Sequence, residues 1–274
     1  MSGKTETGTR EWSVASANCL LGCSHNCRYC YAREMALRFG RIGSIEEWAK
    51  PRVNPATAKK SWGRIEGGPV MFPTSHDLLP AFRDECQETI RRILRAGNRL
   101  LLVSKPHLQV VTHLCAWMMT LRPDLAGFDL REQVQWRFTI GAMDNATLAY
   151  WEPGAPGFGE RVASLQRAYR YGFSTSLSIE PMLDSSHVVE LVERLDPWVS
   201  GEIWIGPMNQ VRRRVVPGTD PEEIARIEAG QTPEKLWRIY DALKAHPQVR
   251  WKDGFRRILG QEGSQESGVR SRNA

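Results

Sequence analysis

Short apolar runs alternate along most of the chain with longer stretches whose apolar residues recur every three or four positions. Five of the runs have the length and composition of buried strands: Pro69–Phe72, Arg99–Ser104, Gln135–Ile140, Thr175–Ile179 and Glu202–Ile205. The stretches between them predict amphipathic helices over Phe82–Ala96, Leu108–Leu121, Glu160–Tyr171 and Val188–Leu195. Because strands and helices alternate, the pattern predicts an α/β fold with a parallel sheet.

The N-terminal part extends this alternation. Ser13–Leu20 is small and β-compatible, and Arg28–Phe39 is predicted to be a helix that ends at Gly40. Gly97 and Gly172 each follow a predicted helix and are typical of helix C-termini. Six strand–helix units result, and six units favour an open, partial (β/α)6 barrel of the TIM-like kind.

The remaining segments lie around this unit. Residues 41–68 carry several Pro and Gly residues and form an excursion that the pattern leaves unassigned. A further helix is predicted over Leu236–Ala245 and a closing strand over Val249–Trp251. The chain thus divides into a polar leader, a single domain with a C-terminal helical extension, and a polar, Gly/Ser-rich tail that is predicted to be disordered: residues 1–12, 13–260 and 261–274.

Composition narrows the class of protein. The 274 residues are 41% hydrophobic and 25% charged, and their apolar stretches are too short to cross a bilayer. Lys and Arg number 37 against 31 acidic residues, so the net charge of +6 permits a polyanionic partner without requiring one. The polar start lacks the apolar core of a signal peptide, which predicts a cytoplasmic protein with reduced thiols.

The six cysteines are unevenly placed. All lie in the first half of the chain, whereas a disulfide framework would be spread more evenly, so metal or redox chemistry is favoured. Cys23, Cys27 and Cys30 follow the first predicted strand, and three thiolates at this spacing can converge on one soft metal centre. A zinc site would need a fourth ligand, for which His25 and Cys19 are the candidates.

A family resemblance rests on this loop. The pattern Cys23-x3-Cys27-x2-Cys30, with Tyr29 before the last cysteine, resembles the cluster-binding loop of the radical S-adenosylmethionine (SAM) enzymes. The resemblance implies that the three thiolates hold a 4Fe-4S cluster whose fourth iron binds the amino and carboxylate groups of SAM. It further implies an electron donor such as a flavodoxin or ferredoxin, reductive cleavage of SAM, and a 5′-deoxyadenosyl radical that abstracts hydrogen from a substrate.

Motifs at three later strand ends extend the resemblance over residues 14–210, most closely to the branch that contains spore photoproduct lyase. They are 72–77 (FPTSHD) after the second strand, 104–106 (SKP) after the third, and 152–156 (EPGAP) with Arg161 after the fourth. All follow the carboxyl ends of strands, the side on which barrel enzymes keep their chemistry. The glutamate of the third motif is expected to pair with Arg161 and to fix its loop.

The resemblance also implies roles for single residues. It suggests the main chain of Tyr29 near the adenine of SAM, Ser75 and Lys105 near its carboxylate or ribose, and Thr139 facing the cofactor. Hydroxyls and an ammonium group suit those parts of SAM. The structural alternatives are a solvated loop lysine, a turn-forming serine and a buried strand threonine bonded to main chain.

Four further polar residues fall at predicted strand ends. His76 and Asp77, after the second strand, are candidates for a catalytic acid, base or substrate anchor, with a capping turn as the alternative. Glu180 ends the fifth strand, where an interior carboxylate needs a partner such as Lys105 or a ligand, which makes it a candidate for catalysis or cofactor binding. Asn209 is the corresponding cofactor-binding candidate after the sixth strand.

Two departures from the family pattern bear on the reaction. The Gly-Gly-Glu motif of the wider superfamily is absent, because Gly67 and Gly68 precede the strand and no acid follows them. Pro73 stands where spore photoproduct lyase has the cysteine that returns hydrogen to the product radical, so photoproduct repair by that route is not expected. Cys86 and Cys115 lie within predicted helices and are expected to be packing thiols.

The sequence therefore predicts radical SAM chemistry on a substrate that it does not identify. A nucleic acid or nucleotide, in a repair or modification reaction of the lyase kind, is suggested by the resemblance, the basic charge and the run Arg212–Arg214. Two alternatives stay open: radical SAM modification of a peptide or small molecule, and a non-catalytic metal- or cluster-binding protein. The sequence carries no indication of the oligomeric state.

Overall fold

A computed structural model describes residues 8–121 and 130–261. Their strands are β1 (Ala15–Ser16), β2 (Leu20–Leu21), β3 (Arg52–Val53), β4 (Val70–Phe72), β5 (Leu100–Ser104), β6 (Val134–Thr139), β7 (Ser174–Ile179), β8 (Ile203–Ile205) and β9 (Val249–Trp251). Seven of them form a parallel sheet in the order β1-β4-β5-β6-β7-β8-β9, while β2 and β3 form a separate antiparallel pair. Chain order therefore sets strand order, as expected when each crossover returns to the neighbouring position.

The helices occupy the connections between strands. They are α1 (Tyr31–Arg38), α2 (Ile45–Trp48), α3 (Pro55–Ala58), α4 (Arg83–Arg95), α5 (Leu108–Thr120), α6 (Leu130–Gln133), α7 (Asn145–Trp151), α8 (Phe158–Arg170), α9 (Val188–Leu195), α10 (Val211–Arg214), α11 (Pro221–Gly230), α12 (Pro233–Leu243) and α13 (Asp253–Ile258). None of the helices in this described part is long and apolar enough to span a membrane.

The two faces of the sheet differ in polarity, as β6 illustrates. Trp136 and Phe138 are buried and stacked 5.8 Å apart, and they join the apolar cluster that includes residues of α5 and α8. Successive side chains of a strand point to opposite faces, so Arg137 and Thr139 lie on the other face. The register places Arg137 beside Ser176 of β7. One face of the sheet is thus an apolar layer under helices, and the other is polar at β6 and β7.

Most predicted elements are confirmed, and their ends differ from the predicted ones by a few residues at most. The five predicted strands are β4 to β8, and the predicted closing strand is β9. Gly97 and Gly172 have φ of +73° and +82°, the left-handed conformation of a helix C-terminus. The elements that the pattern left out are short or lie in polar stretches: α2, β3, α3, α6, α7, α10, α11 and α13.

The first predicted strand is divided, which corrects the single strand expected over Ser13–Leu20. β1 pairs with β4 in the main sheet, whereas Leu20 and Leu21 pair antiparallel with β3. The cause lies at the junction of β1 and β2, where the imidazole of His76 accepts hydrogen bonds from the main-chain N–H groups of Cys19 and Leu20. A side chain replaces the strand ladder there, and the chain leaves the sheet.

The ends of the described chain meet each other. Residues 8–11 of the predicted leader form a 3₁₀ turn, and Glu11 binds Lys252 at 2.5 Å and Arg256 at 3.1 Å. Since β1 and β9 are the two edges of the sheet, the segment before one edge contacts the segment after the other. The rest of the leader, and the predicted tail beyond Gln261, lie outside the described residues.

Candidate functional site

The candidate residues gather where the parallel strands end, which we call the carboxyl edge of the sheet. Residues 22–30, the cysteine loop, lie between β2 and α1. Asp77 follows β4, Lys105 follows β5, and Glu152 comes directly after α7. In parallel sheets, ligands bind at this edge, because loops from neighbouring strands converge there.

Two glycines let the cysteine loop approach its surroundings. Gly22 has φ of +94°, and a Cβ at that position would lie 2.7 Å from the main-chain oxygen of Trp48. A Cβ on Gly154 would clash with Ser24 and lie 2.9 Å from Cα of His25. The Gly154 N–H instead donates to the His25 carbonyl at 3.0 Å. The loop is therefore seated directly on the segment after α7, where a larger residue would push it away.

The three loop cysteines differ in exposure. Cys23 and Cys27 are buried, and Cys30 is partly exposed. Burial raises the pKa of Cys23 well above its ordinary value, and it raises the pKa of Cys27 to about 12 although Lys105 opposes the shift. The free thiols of Cys23 and Cys27 are therefore neutral, and a bound metal would supply the positive charge that favours thiolate.

One compact group of metal-binding atoms involves the loop. Donor atoms of Cys23, His25 and Asp77 lie within 4.8 Å of one another, and all three residues are buried. Within residues 8–121 and 130–261, no other set of three or more Cys, His, Asp or Glu residues brings its donor atoms this close together. Cys27 and Cys30 do not belong to the group. Cys23 thus belongs both to this group and to the cysteine triad.

Asp77 is the centre of a buried polar network. Its Oδ1 accepts hydrogen bonds from the Lys105 N–H at 2.6 Å and the Ser104 hydroxyl at 2.9 Å. Its Oδ2 lies 3.0 Å from His25 Nδ1 and 3.6 Å from Lys105 Nζ. Burial opposes the charge, yet Lys105 and His25 together hold the pKa of Asp77 well below its ordinary value. Asp77 is thus an ionised anchor that joins β4, β5 and the cysteine loop.

His25 uses both ring nitrogens within the protein. Its Nδ1 faces Asp77, and its Nε2 lies 2.9 Å from Nε2 of His107. Nδ1 is thus placed to donate to the carboxylate, and Nε2 to share a hydrogen bond with His107. Metal binding by His25 would therefore break one of these two contacts.

Lys105 is held at the centre of the site. Burial disfavours its charge, but the facing Asp77 carboxylate outweighs that effect and keeps the pKa of Lys105 above its ordinary value. Its Nζ lies 5.9 Å from the centre of the Tyr29 ring. A fixed ammonium group beside the cysteine loop is suited to an anionic ligand.

The predicted pairing of Glu152 and Arg161 is confirmed. Arg161 Nη2 lies 2.6 Å from Glu152 Oε2, and both side chains are fully buried. Glu152 also accepts a hydrogen bond from the Tyr29 hydroxyl. Arg161 in turn donates to the main-chain oxygens of Pro156 and Thr139, at 2.7 and 3.2 Å. The pair ties the cysteine loop to the end of β6.

His76 supports the main chain. Its Nε2 accepts from the N–H groups of Cys19 and Leu20, at 3.1 and 3.3 Å, and its Nδ1 donates to the Asp77 carbonyl at 2.9 Å. Both nitrogens are thus engaged, and the ring positions the chain that leads into the cysteine loop. Asn18, which sequence reasoning missed, has a similar role, because its Oδ1 accepts from the N–H groups that follow Pro73.

Three other candidate cofactor-binding residues, Ser75, Thr139 and Asn209, lie on different loops and strands. Ser75 is half-buried in the turn after β4. Thr139 is buried at the end of β6, in register with Ser178 of β7 and on the same face. Asn209 lies against Gly254 at the start of α13. Lys105 and Tyr29 lie together at the cysteine loop.

Glu180 finds a partner that the sequence did not indicate. Its Oε2 lies 3.6 Å from Nζ of Lys252, which is fully buried and binds Glu11 more closely, whereas Lys105 pairs with Asp77. Burial raises the pKa of Glu180 to about 7, and Lys252 opposes this only in part. Glu180 is therefore a carboxylic acid that can gain or lose a proton near neutral pH.

Arg137 is a further polar residue that sequence reasoning missed. It lies on the polar face of the sheet, with its guanidinium 4.7 Å from the Trp12 ring centre and 5.6 Å from that of Trp204. Burial lowers the pKa of Arg137 to about 10. Its Nη1 is buried without a hydrogen-bond partner in the described structure, and so is the hydroxyl of Ser178. The local sequence pattern does not distinguish a buried arginine of a strand from an exposed one, so the position of Arg137 could not be predicted.

The remaining candidates are engaged elsewhere. Arg212 pairs with Glu228, while Arg213 and Arg214 pair with Glu34 of α1, so the basic run is held by acids. Among the other thiols, Cys86 and Cys115 are buried in α4 and α5 as predicted. Cys19 does not join the loop cysteines, because its sulfur lies 3.7 Å from that of Cys86 and 3.8 Å from the His76 ring: residues 19, 76 and 86 form a separate cluster.

Comparison with known proteins adds one distant relative. No protein-family model matches the chain. A protein of Acidianus two-tailed virus, named "Uncharacterized protein ORF301", is 26% identical over 186 residues, which cover 64% of this chain. The matched region spans 58% of the length of the viral protein. Function therefore has to be argued from the site.

Proposed function

We propose that the chain is a radical SAM enzyme in which Cys23, Cys27 and Cys30 hold a 4Fe-4S cluster. The position of the cysteine loop is the observation that carries the proposal. The loop is held at the carboxyl edge of a parallel sheet by the His25 contact with Asp77, by the Tyr29 hydrogen bond to Glu152 and by main-chain hydrogen bonds. Loops at this edge are where enzymes with parallel sheets keep their chemistry.

A partial (β/α)6 barrel is part of the proposal. Within residues 8–121 and 130–261, no strand pairing joins the edge strands β1 and β9. The segments that flank them nevertheless meet through Glu11, Lys252 and Arg256. A sheet that curls brings its two edges toward each other in this way. The polar face that carries Arg137 and Thr139 would then be the concave one.

The three cysteines suit a cluster better than a single ion. A tetrahedral zinc ion with Zn–S bonds of about 2.3 Å places its thiolates about 3.8 Å apart. The sulfurs of Cys23, Cys27 and Cys30 do not form a group within 4.8 Å of one another in the described part of the chain. A cluster spreads its thiolates because each one binds a different iron. When bound, it would supply the electron that cleaves the sulfonium bond of SAM.

The protein's own residues would bind and orient SAM. Lys105 holds a positive charge beside the loop, where the carboxylate of SAM would be attracted to it. Thr139 and Ser178 lie side by side on the polar face, and the Ser178 hydroxyl is buried without a partner. A bound polar ligand would offset the desolvation cost of that hydroxyl. Glu180, farther along the same edge, would exchange a proton with the substrate.

We propose a nucleic acid or nucleotide as the substrate, supported by the surface of α1. Tyr31, Met35 and Phe39 are four residues apart and therefore lie on one helical face, where they are 42%, 36% and 57% exposed. The guanidinium groups of Arg38 and Arg41 lie 5.8 and 5.6 Å from the centre of the Phe39 ring. Exposed aromatic rings bordered by cations are typical of surfaces that stack bases and neutralise phosphates. The helix begins directly after Cys30, so this surface starts at the site.

The first experiment measures cluster and product together. After anaerobic reconstitution with iron and sulfide and reduction with dithionite, electron paramagnetic resonance should show a 4Fe-4S signal that shifts with SAM, and chromatography should show 5′-deoxyadenosine. Cys27→Ala should abolish both results. Cys115→Ala is the matched control, because Cys115 is buried in α5 away from the loop. An absence of deoxyadenosine, or a signal that survives Cys27→Ala, would refute the proposal.

A single-metal site is the second candidate, because Cys23, His25 and Asp77 already lie within 4.8 Å of one another. It predicts about one zinc per chain after zinc addition, retained in Cys27→Ala and lost in His25→Asn. The cluster predicts the reverse for Cys27→Ala and iron rather than zinc. Metal analysis of the two variants, with circular dichroism to verify folding, decides between them.

A further inference from the structure

A basic groove lies between α4 and the segment after α3. It has a volume of about 560 Å³ and is lined by Lys59, Lys60, Trp62, Arg92 and Arg95, with small residues completing it. No acidic residue lines it. Like charges that share a groove repel one another, and an anion relieves that repulsion.

Three of the four cations have no acidic partner among the residues that the structure describes. Arg92 is held by Glu88 at 2.8 Å. Lys59, Lys60 and Arg95 form no ion pair with any residue in the described ranges. Elsewhere on the surface, Arg212 and Arg226 illustrate the contrary pattern, since each is paired with a glutamate at 2.6 Å. The groove therefore keeps its cations available to a ligand.

The groove is remote from the cysteine loop. The buried side chain of Asn98 accepts from the N–H of Ile65 at 2.7 Å and donates to the Gly63 carbonyl at 3.0 Å. These bonds hold the segment after Trp62 against the turn that precedes β5. The groove therefore lies where the strands begin, at the end opposite to the carboxyl edge, and its wall is fixed in place.

We propose that this groove binds a nucleoside phosphate, either free or as part of a single strand. Lys59, Lys60 and Arg95 would neutralise the phosphates. Trp62 would contact the base, because its side chain lines the groove. The groove is shallow and open, so the ligand would lie at the surface and be held by these cations. The assignment uses no residue of the cysteine loop and goes beyond the proposed reaction.

The test measures binding to the full-length protein as isolated. The probes are a fluorescent methylanthraniloyl-ADP, a labelled 12-nucleotide single strand of DNA and one of RNA, and inorganic triphosphate as competitor. Lys60→Glu/Arg95→Glu should weaken every probe about tenfold or more and should lower the dependence on salt by about one unit per lost phosphate contact. Trp62→Leu should weaken the nucleotide about fivefold or more but leave triphosphate unchanged.

Control variants separate this site from general charge effects. Lys235→Glu reverses one charge, as each single substitution in the groove does, at an exposed position on α12 and should leave binding unchanged. Tighter binding of a strand than of the nucleotide identifies the strand as the ligand, and equal binding identifies the free nucleotide. The inference is overturned if the double variant behaves like Lys235→Glu, or if Trp62→Leu weakens triphosphate and nucleotide alike.

The same variants should retain normal iron content and deoxyadenosine release. Loss of nucleotide binding with a functional cluster would therefore test the groove alone. Failure of the cluster in the unmodified protein, with groove binding intact, would refute only the proposed reaction.

Discussion

Two sets of buried charges lie at the carboxyl edge, and they are built differently. Glu152 and Arg161 pair at 2.6 Å, and both side chains are 0% exposed. Glu180 lies 3.6 Å from Lys252 and is 21% exposed, because Lys252 binds Glu11 more closely, at 2.5 Å. We call the first set closed, because its two charges are directly paired, and the second set open, because Glu180 has no close cation.

The difference assigns the two sets separate tasks. A fully buried, hydrogen-bonded pair has one favourable arrangement, so Glu152 and Arg161 hold the cysteine loop in place. A carboxylate whose cation is shared can change its protonation at little cost, so Glu180 is suited to proton exchange. A site that needs both a rigid metal loop and a mobile proton gains from keeping these tasks on different residues.

The largest expected effect comes from breaking the closed pair. Arg161→Met leaves the Glu152 carboxylate buried without its cation and should lower the free energy of unfolding by about 3–5 kcal/mol. Denaturant unfolding followed by circular dichroism measures this loss. The double variant Arg161→Met/Glu152→Leu should recover most of it, since no unpaired charge remains. A loss below about 1 kcal/mol in the single variant would show that the pair contributes no more than an ordinary surface ion pair. The difference between the two charge sets would then disappear.

The second expected effect is a pH dependence of stability that comes from Glu180 in the open set. Because burial raises the pKa of Glu180 from 4.5 to about 7, the folded protein holds a proton that the unfolded chain releases. This contribution to stability is fully present below pH 4.5 and is lost as the pH rises through 7. Its size is at most about 3 kcal/mol, and Glu180→Gln should remove the pH dependence in that window.

Two variants sharpen that result. Lys252→Met removes the nearest cation and should move the midpoint of the pH dependence upward, because the Glu180 charge then loses its partner. Glu234→Gln, on the exposed face of α12, should leave the dependence unchanged. A pH profile of Glu180→Gln that matches the unmodified protein would show that Glu180 does not titrate in this range.

The same contrast explains what the sequence could predict about the site. The pairing of Glu152 with Arg161 was predictable, because both residues belong to one motif in one strand–helix connection. Lys252 was not, because its burial depends on Glu11 from the opposite end of the chain. Asn18 and Arg137 were missed for a related reason, since their partners lie on strands and turns that are distant in sequence.

The fold shows the same limit. The strands β4 to β8 and the helices between them follow from local periodicity, which reflects which face is buried. The division of the first strand does not, because it depends on the His76 side chain, which is more than fifty residues away. The short helices were missed although some carry caps, such as the Asp144 carboxylate that accepts from two N–H groups at the start of α7.

The smallest expected effect tests how closely the cysteine loop depends on the closed set. Gly154→Ala places a methyl group against Ser24 and 2.9 Å from Cα of His25, so the loop must shift. We expect a loss of about 1–3 kcal/mol in unfolding free energy, together with a reduced iron content after reconstitution.

The matched control is Gly159→Ala in α8, where a Cβ has no atom within 4 Å and where alanine favours the helix by up to about 1 kcal/mol. Gly159→Ala should therefore keep or raise stability and leave the iron content unchanged. If Gly154→Ala loses stability but binds iron normally, the loop can hold its metal without the exact seat that Glu152 and Arg161 support. The closed set would then stabilise the fold rather than the site, and the distinction between the two charge sets would rest on Glu180 alone.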